Sequence, residues 1–151
     1  MKANSITIRH SVFIKTPPQT VWDFTQNYQN RPAWDDSVLE TAVLQSKPHR
    51  MVRMKMKGGT EMTFVYKLDN PPNKTTLAAK DIQSPVFDAA GGSWVYSEMD
   101  GGTLWTQTNT IVLKPNFLWW LMRPLLKWML QVQTRMAMQK AKKILENTRW
   151  E

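Results

Sequence analysis

The sequence predicts an α+β fold: seven antiparallel strands in one sheet, two short helices between the first and second strands, and a long C-terminal helix lying across the sheet. Three observations predict it. Within residues 5–15, Ile6, Ile8, His10, Val12 and Ile14 take every second position, the period of a half-buried strand, and turn signals recur every ten to twelve residues from Val38 onward. From Phe117 to Glu146 there is no glycine, and apolar residues recur at spacings of three and four.

In the first segment Ile6, Ile8, His10, Val12 and Ile14 fall on one side of a strand that Pro17-Pro18 ends. Thr20-Val21-Trp22-Asp23-Phe24 reads as a short helix capped by Thr20 or the preceding loop, and Pro32-Ala33-Trp34-Asp35 as a second helical turn. Breaks at Lys47-Pro48, Gly58-Gly59, Asn70-Pro71-Pro72-Asn73, Ser84-Pro85, Gly91-Gly92 and Gly101-Gly102 then separate strands at 38–46, 50–57, 61–69, 74–83, 92–99 and 103–114. Asn116 can cap the last helix, whose one proline, Pro124, suits a first turn better than an interior. Its polar face runs through Lys127, Gln131, Arg135, Gln139 or Met138, and Lys142. The expected apolar stripe is Leu125, Met129, Val132 and Met136, with Leu126, Leu130, Ala137, Ala141 and Leu145 beside it.

A chain of 151 residues and 17.6 kDa is the size of one domain, expected to cover residues 1–151. With 42% hydrophobic and 21% charged residues it is neither a disordered nor a fibrous chain. The absence of cysteine excludes disulfides, thiolate zinc sites and cysteine nucleophiles. His10 and His49 alone do not make a closed metal site, and no HExxH, GxSxG, P-loop or dinucleotide fingerprint occurs, so neither metal nor cofactor is expected. The start, MKANSITIRH, lacks the apolar core of a signal peptide, and no 18-residue apolar run exists, so the expected location is cytoplasmic, at most peripheral on a membrane.

The residues Val12-Phe13-Ile14 before Pro17 or Pro18, Val21-Trp22-Asp23-Phe24 and Pro32-Ala33-Trp34 resemble the START-like, or SRPBCC, superfamily and within it the polyketide cyclase/dehydrase and lipid-transport group. Gly101-Gly102-Thr103 opening a long strand, and the ending Met138 to Glu146, look like the same family. That resemblance implies a helix-grip fold of the Bet v 1 kind, a curved sheet wrapped on the C-terminal helix with a cavity between them. Its members include lipid carriers, aromatic cyclases and ribosome-associated proteins, so it implies fold more sharply than function.

A cavity of that kind is typically apolar with few polar groups. Val52, Met54 and Met56 alternate with Arg53, Lys55 and Lys57, and together with Met62, Phe64 and Tyr66 they form a methionine-rich wall able to reshape around a ligand. On the strand from Thr103 the threonine face suits solvent, which turns Trp105 and Asn109 inward. Trp94, Tyr96 and Glu98 share a face whose direction the sequence leaves open. The expected ligand-binding residues are His10, Met54, Met56, Phe64, Tyr66, Trp94, Tyr96, Trp105, Asn109, Met129 and Met136. For proton transfer the residue types on offer are His10, Tyr66, Asp81, Tyr96 and Glu98, with no spacing that singles out a pair. Asp35-Asp36 is not read as a catalytic pair, because adjacent side chains point apart.

The expected function is therefore binding or transport of an apolar small molecule, with a cyclase or dehydratase using the same cavity as the alternative. A peripheral membrane- or ribosome-associated module is the further alternative. Of the formal net charge of +8, the segment 116–151 supplies +5. Eleven of the 14 residues from Phe117 to Leu130 are apolar, and Trp119 and Trp120 with Arg123 and Lys127 match an interfacial segment, which makes a transient anionic membrane surface the expected second partner. Nucleic acid is not expected, since these aromatics cluster with aliphatics instead of standing among spaced bases.

Overall fold

The computed structural model describes residues 4–148. The elements are β1 (Ser5–Ile14), α1 (Pro18–Gln26), a 3₁₀ turn (Tyr28–Asn30), α2 (Arg31–Trp34), β2 (Val38–Gln45), β3 (Met51–Met56), β4 (Thr60–Asn70), β5 (Lys74–Gln83), β6 (Phe87–Met99), β7 (Gly102–Leu113) and α3 (Phe117–Asn147). All strands pair antiparallel in the order β1-β7-β6-β5-β4-β3-β2. After β1 the chain crosses through α1 and α2 to the opposite edge, returns strand by strand, and lays α3 over the concave face. This is the helix-grip fold.

Alternation sets which side chains face α3. On β1, Ile6, Ile8, Val12 and Ile14 are buried, while on the outer face the Ser11 and Thr106 hydroxyls hydrogen-bond at 2.7 Å and those of Thr7 and Thr110 at 3.0 Å. Trp105 and Gln107 point inward from β7, and Trp94 and Tyr96 from β6; Glu98, on the same face of β6, lies beyond the core and is exposed. Trp34 from α2 meets Trp94 and Trp105 with ring centroids 5.9 and 5.5 Å apart, and those two rings are 5.4 Å from each other, all edge-to-face. Tyr96 stacks on Trp105, and Trp22 of α1 tilts against Tyr96. Much of the tryptophan in the sequence is thus spent on one nucleus that ties both short helices to β6 and β7, each pair adding about 0.5–1.5 kcal/mol beyond area burial.

Three local expectations are corrected. Gly91-Gly92 is not a break: β6 starts at Phe87 and runs through both glycines. A Cβ on Gly92 would lie 2.4 Å from Asn109 Oδ1 and 3.1 Å from the Thr108 carbonyl, so glycine there makes room for a polar side chain on the next strand. Pro124 lies inside α3, because the Asn116 side chain caps the helix well before it by accepting from the Leu118 N–H at 2.8 Å. Finally, Leu125, Met129 and Met136 are exposed, and Ala137, Met138, Ala141 and Leu145 face the sheet, with Leu126 and Leu130 half-buried. Small Ala137 and Ala141 let the α3 backbone approach closely, which turns the Leu126, Leu130, Ala137, Ala141 and Leu145 side of the broad expected stripe inward and leaves its Leu125, Met129 and Met136 side outside.

At the start of α1, Pro17 holds the cap position without a side-chain hydrogen bond and Pro18 is the first helical residue, so the preceding loop and not Thr20 begins the helix. A Cβ on Gly102 would lie 2.4 Å from the Ile14 carbonyl, which explains the glycine opening β7 beside β1.

Candidate functional site

α3 lies along β1, so β3, β4 and β5 curl away from the helix and a cavity of about 150 Å³ remains between them. Met54 and Met56 of β3, Met62 and Phe64 of β4 and Leu77 of β5 form its apolar wall; Leu130, Gln133, Thr134 and Ala137 of α3 form the opposite side. Trp94, Gln107 and Asn109 close the floor, and Tyr28, Arg31, Trp34, Asp35 and Ser37 close one end.

That end holds a buried ion pair. Arg31 Nε donates to Asp35 Oδ2 at 3.0 Å, four residues along the α2 turn. The guanidinium carbon stands 4.8, 5.0 and 5.8 Å from the ring centroids of Trp34, Trp94 and Tyr28. Burial opposes the Arg31 charge, but Asp35 and the neighbouring phenols outweigh it and lift the guanidinium above the ordinary arginine value. Asp36 turns the other way and pairs with Lys140 of α3 at 2.8 Å. Neither Arg31 nor Asp35 was among the expected site residues. The signal was present in Arg31-Pro32-Ala33-Trp34-Asp35, a base and an acid four apart flanking a tryptophan.

Of the expected ligand-binding residues, Met54, Met56, Phe64, Trp94 and Asn109 lie on the cavity wall. Tyr66, Tyr96 and Trp105 are buried behind it. The Tyr66 hydroxyl hydrogen-bonds that of Tyr28, and the Arg50 guanidinium lies 3.8 Å over the Tyr66 ring. Tyr96 Oη bonds Thr25 Oγ1 at 2.6 Å and accepts from Gln26 Nε2 at 2.8 Å, fastening β6 to α1. Burial pushes both phenols, Tyr66 and Tyr96, above the ordinary tyrosine value, which leaves them protonated at neutral pH. Met129 and Met136 project from the outer side of α3, and Asp81 and Glu98 lie in solvent. Among the described residues no cluster of acids and histidines suits a metal ion.

His10 pairs in register with Gln107, off the cavity wall. Its Nε2 is buried with no hydrogen-bond partner among the described residues. Burial, reinforced by the Arg135 charge on α3, holds the imidazole below the usual histidine value. The unfolded imidazole, near pKa 6.5, then takes up a proton that the folded one refuses, so this contribution to stability is present above that pKa and lost as pH falls through the folded value. Urea midpoints measured from about pH 8 to about pH 5 should fall less steeply in His10→Leu than in the parent protein. Identical slopes would assign the acid sensitivity elsewhere.

Residues 5–146 match the signature of the family described as polyketide cyclase / dehydrase and lipid transport. No curated protein matches the sequence. Among solved structures the fold is similar to the Zhui aromatase/cyclase from Streptomyces sp. R1128, with a TM-score of 0.80 at 14% identity over 94% of each chain. A protein of Thermus thermophilus gives 0.79 at 17% identity, covering 92% of this chain and 96% of that one. A START superfamily protein from Mycobacterium smegmatis gives 0.73 at 10% identity, covering 93% and 97%. At such identities the structural likeness establishes the fold, and the match over nearly the whole length establishes the lineage: the chain belongs to the polyketide cyclase / dehydrase and lipid transport family.

Proposed function

We propose that the protein binds an apolar small molecule, of lipid, isoprenoid or polyaromatic type, in the cavity between the sheet and α3, and holds or carries it unchanged. One observation carries this reading: a cavity of about 150 Å³ is walled by Met54, Met56, Met62, Phe64 and Trp94. Unbranched thioethers reshape at little cost, which suits a wall that adapts to its guest. None of His10, Tyr66, Asp81, Tyr96 and Glu98 lies on that wall, which favours binding over cyclase-type proton transfer.

A panel of apolar compounds should raise the melting temperature, since a ligand at a hundredfold excess over Kd adds about 2.7 kcal/mol to the folded state. Thr134→Phe, which directs a ring from α3 into the cavity, should abolish the shift and leave the far-UV spectrum unchanged. No shift across the panel overturns the reading, and conversion of a bound polyketide-type compound would replace carriage by catalysis.

The outer face of α3 favours a second reading, transient contact with an anionic membrane. Phe117 and Trp128 are 73% and 63% exposed, and Trp120, Leu121 and Leu125 are exposed with them, while Trp119 turns inward against the Ile6, Ile8 and Leu113 cluster. This apolar face sits in the most basic part of the chain, a combination anionic head groups favour. No described helix is long and apolar enough to cross a membrane, so the contact would be peripheral. Flotation with anionic vesicles should weaken with salt and weaken again in Trp120→Ser/Trp128→Ser; equal recovery with neutral vesicles would refute it.

A further inference from the structure

Hydrogen bonds at the polar end of the cavity are lopsided. Asp35 has both oxygens engaged: Oδ2 accepts from Arg31 Nε at 3.0 Å, and Oδ1 accepts from the Ser37 backbone N–H and hydroxyl at 3.1 and 2.6 Å. Gln107 Oε1 accepts from Asn109 Nδ2 at 3.0 Å, and Asn109 Oδ1 accepts from Trp94 Nε1 at 3.4 Å. The donors are treated differently. A guanidinium carries five N–H groups, yet among the described residues Nε is the one Arg31 nitrogen with a hydrogen-bond partner. Gln107 Nε2 has none among them. Arg31 and Gln107 are only 8% and 4% exposed, and both line the cavity. These nitrogens are not covered by protein atoms but open onto the cavity, so a guest that brings acceptors gains more there than one that brings donors.

Geometry narrows the acceptor further. Trp34, Trp94 and Tyr28 surround the guanidinium, and Asp35 occupies its Nε edge. What remains is the edge formed by Nη1 and Nη2, a planar fork whose spacing matches the two oxygens of a carboxylate and whose rotamer is already fixed. The formal net charge of +8 draws anions toward the molecule. A volume of about 150 Å³ is enough to take one aromatic ring of a guest.

We infer that the cavity takes a small apolar carboxylate, an aryl or short alkyl acid, with its oxygens on the Nη1/Nη2 edge of Arg31 and its hydrocarbon against Met54, Met56 and Phe64. This rests on the reading of the cavity as a ligand site and adds the head group that it selects. Arg31 is then a specificity-determining residue, and Asp35 and the three rings position it.

Calorimetric titration at neutral pH with 4-methylbenzoate, 4-methylbenzamide and toluene tests the inference. The carboxylate should bind at least about tenfold more tightly than the amide, a charge-assisted forked pair being stronger than a neutral contact. Arg31→Gln should bring the two to equal affinity and leave toluene unchanged, and Arg31→Lys should recover only part of the preference, because an ammonium lacks the fork. Should Arg31→Gln fail to fold, the unaltered protein still decides. Adding 4-methylbenzoate should shift the Arg31 side-chain nitrogen resonances, and toluene should shift the methionine methyls alone. Equal affinity for acid and amide, or an unmoved Arg31 signal, overturns the carboxylate inference while toluene binding keeps the ligand site. Binding of none of the three overturns both.

Discussion

Asp35→Ala lowers the stability of the protein by about 3–5 kcal/mol, the usual cost of leaving a buried charge without its partner. Arg31 is enclosed by Tyr28, Trp34 and Trp94, and its bond to Asp35 Oδ2 is 3.0 Å. Without the carboxylate the Nε edge of the guanidinium loses its partner in a site where Arg31 is only 8% exposed. Arg31→Met costs a similar amount for the mirror-image reason, since Asp35 then keeps only the Ser37 hydrogen bonds. The double change Arg31→Met/Asp35→Leu should recover most of the loss, because replacing both members of a buried pair by apolar side chains removes the desolvation penalty together with the attraction. Methionine also suits the aromatic enclosure that arginine leaves. Urea midpoints for the four proteins give the coupling directly. Strict additivity of the two single changes would mean that the pair contributes nothing as a pair, and α2 would then be held by Trp34 alone.

How much of this was legible in the sequence follows from what each signal encodes. Strict alternation fixes the inward face once one strand has neighbours on both sides, so the β1 face, the Met54 and Met56 wall, and the inward turn of Trp105 and Asn109 were readable from period and residue type. The Trp94, Tyr96 and Glu98 face was not, because aromatic and acidic groups alternate there with Val95 and Ser97 and neither set excludes solvent. In α3 two adjacent stripes are apolar, and periodicity cannot rank them; only the close approach to β1, which needs Ala137 and Ala141, chooses between them. Arg31 and Asp35 escaped because charged residues are expected outside. Their burial depends on α2 packing across the end of the sheet, a fact of tertiary structure invisible to a local pattern. Gly91-Gly92 misled for a related reason, since a glycine that accommodates the neighbouring Asn109 looks the same in sequence as one that makes a turn.

Trp34→Ala and Trp105→Ala should each cost about 3–5 kcal/mol, yet only the first should be rescued by a ligand. Both rings are fully buried and lie 5.5 Å apart by centroid, so the lost contacts and area are alike. Their surroundings differ. Trp34 borders the cavity, whereas Trp105 stands behind it, enclosed by Trp34, Trp94, Tyr96 and the β7 backbone. Removing the Trp34 indole therefore enlarges a space that is already about 150 Å³ and apolar on most of its wall, and free indole can enter it. At a hundredfold excess over its Kd, indole returns about 2.7 kcal/mol to that variant. The hole left by Trp105 has no such approach, so its melting temperature should respond to indole no more than that of the parent protein. Equal rescue of both variants would show that the tryptophan nucleus and the cavity open into one another, and a loss below about 1 kcal/mol for Trp34→Ala would remove that ring from the core altogether.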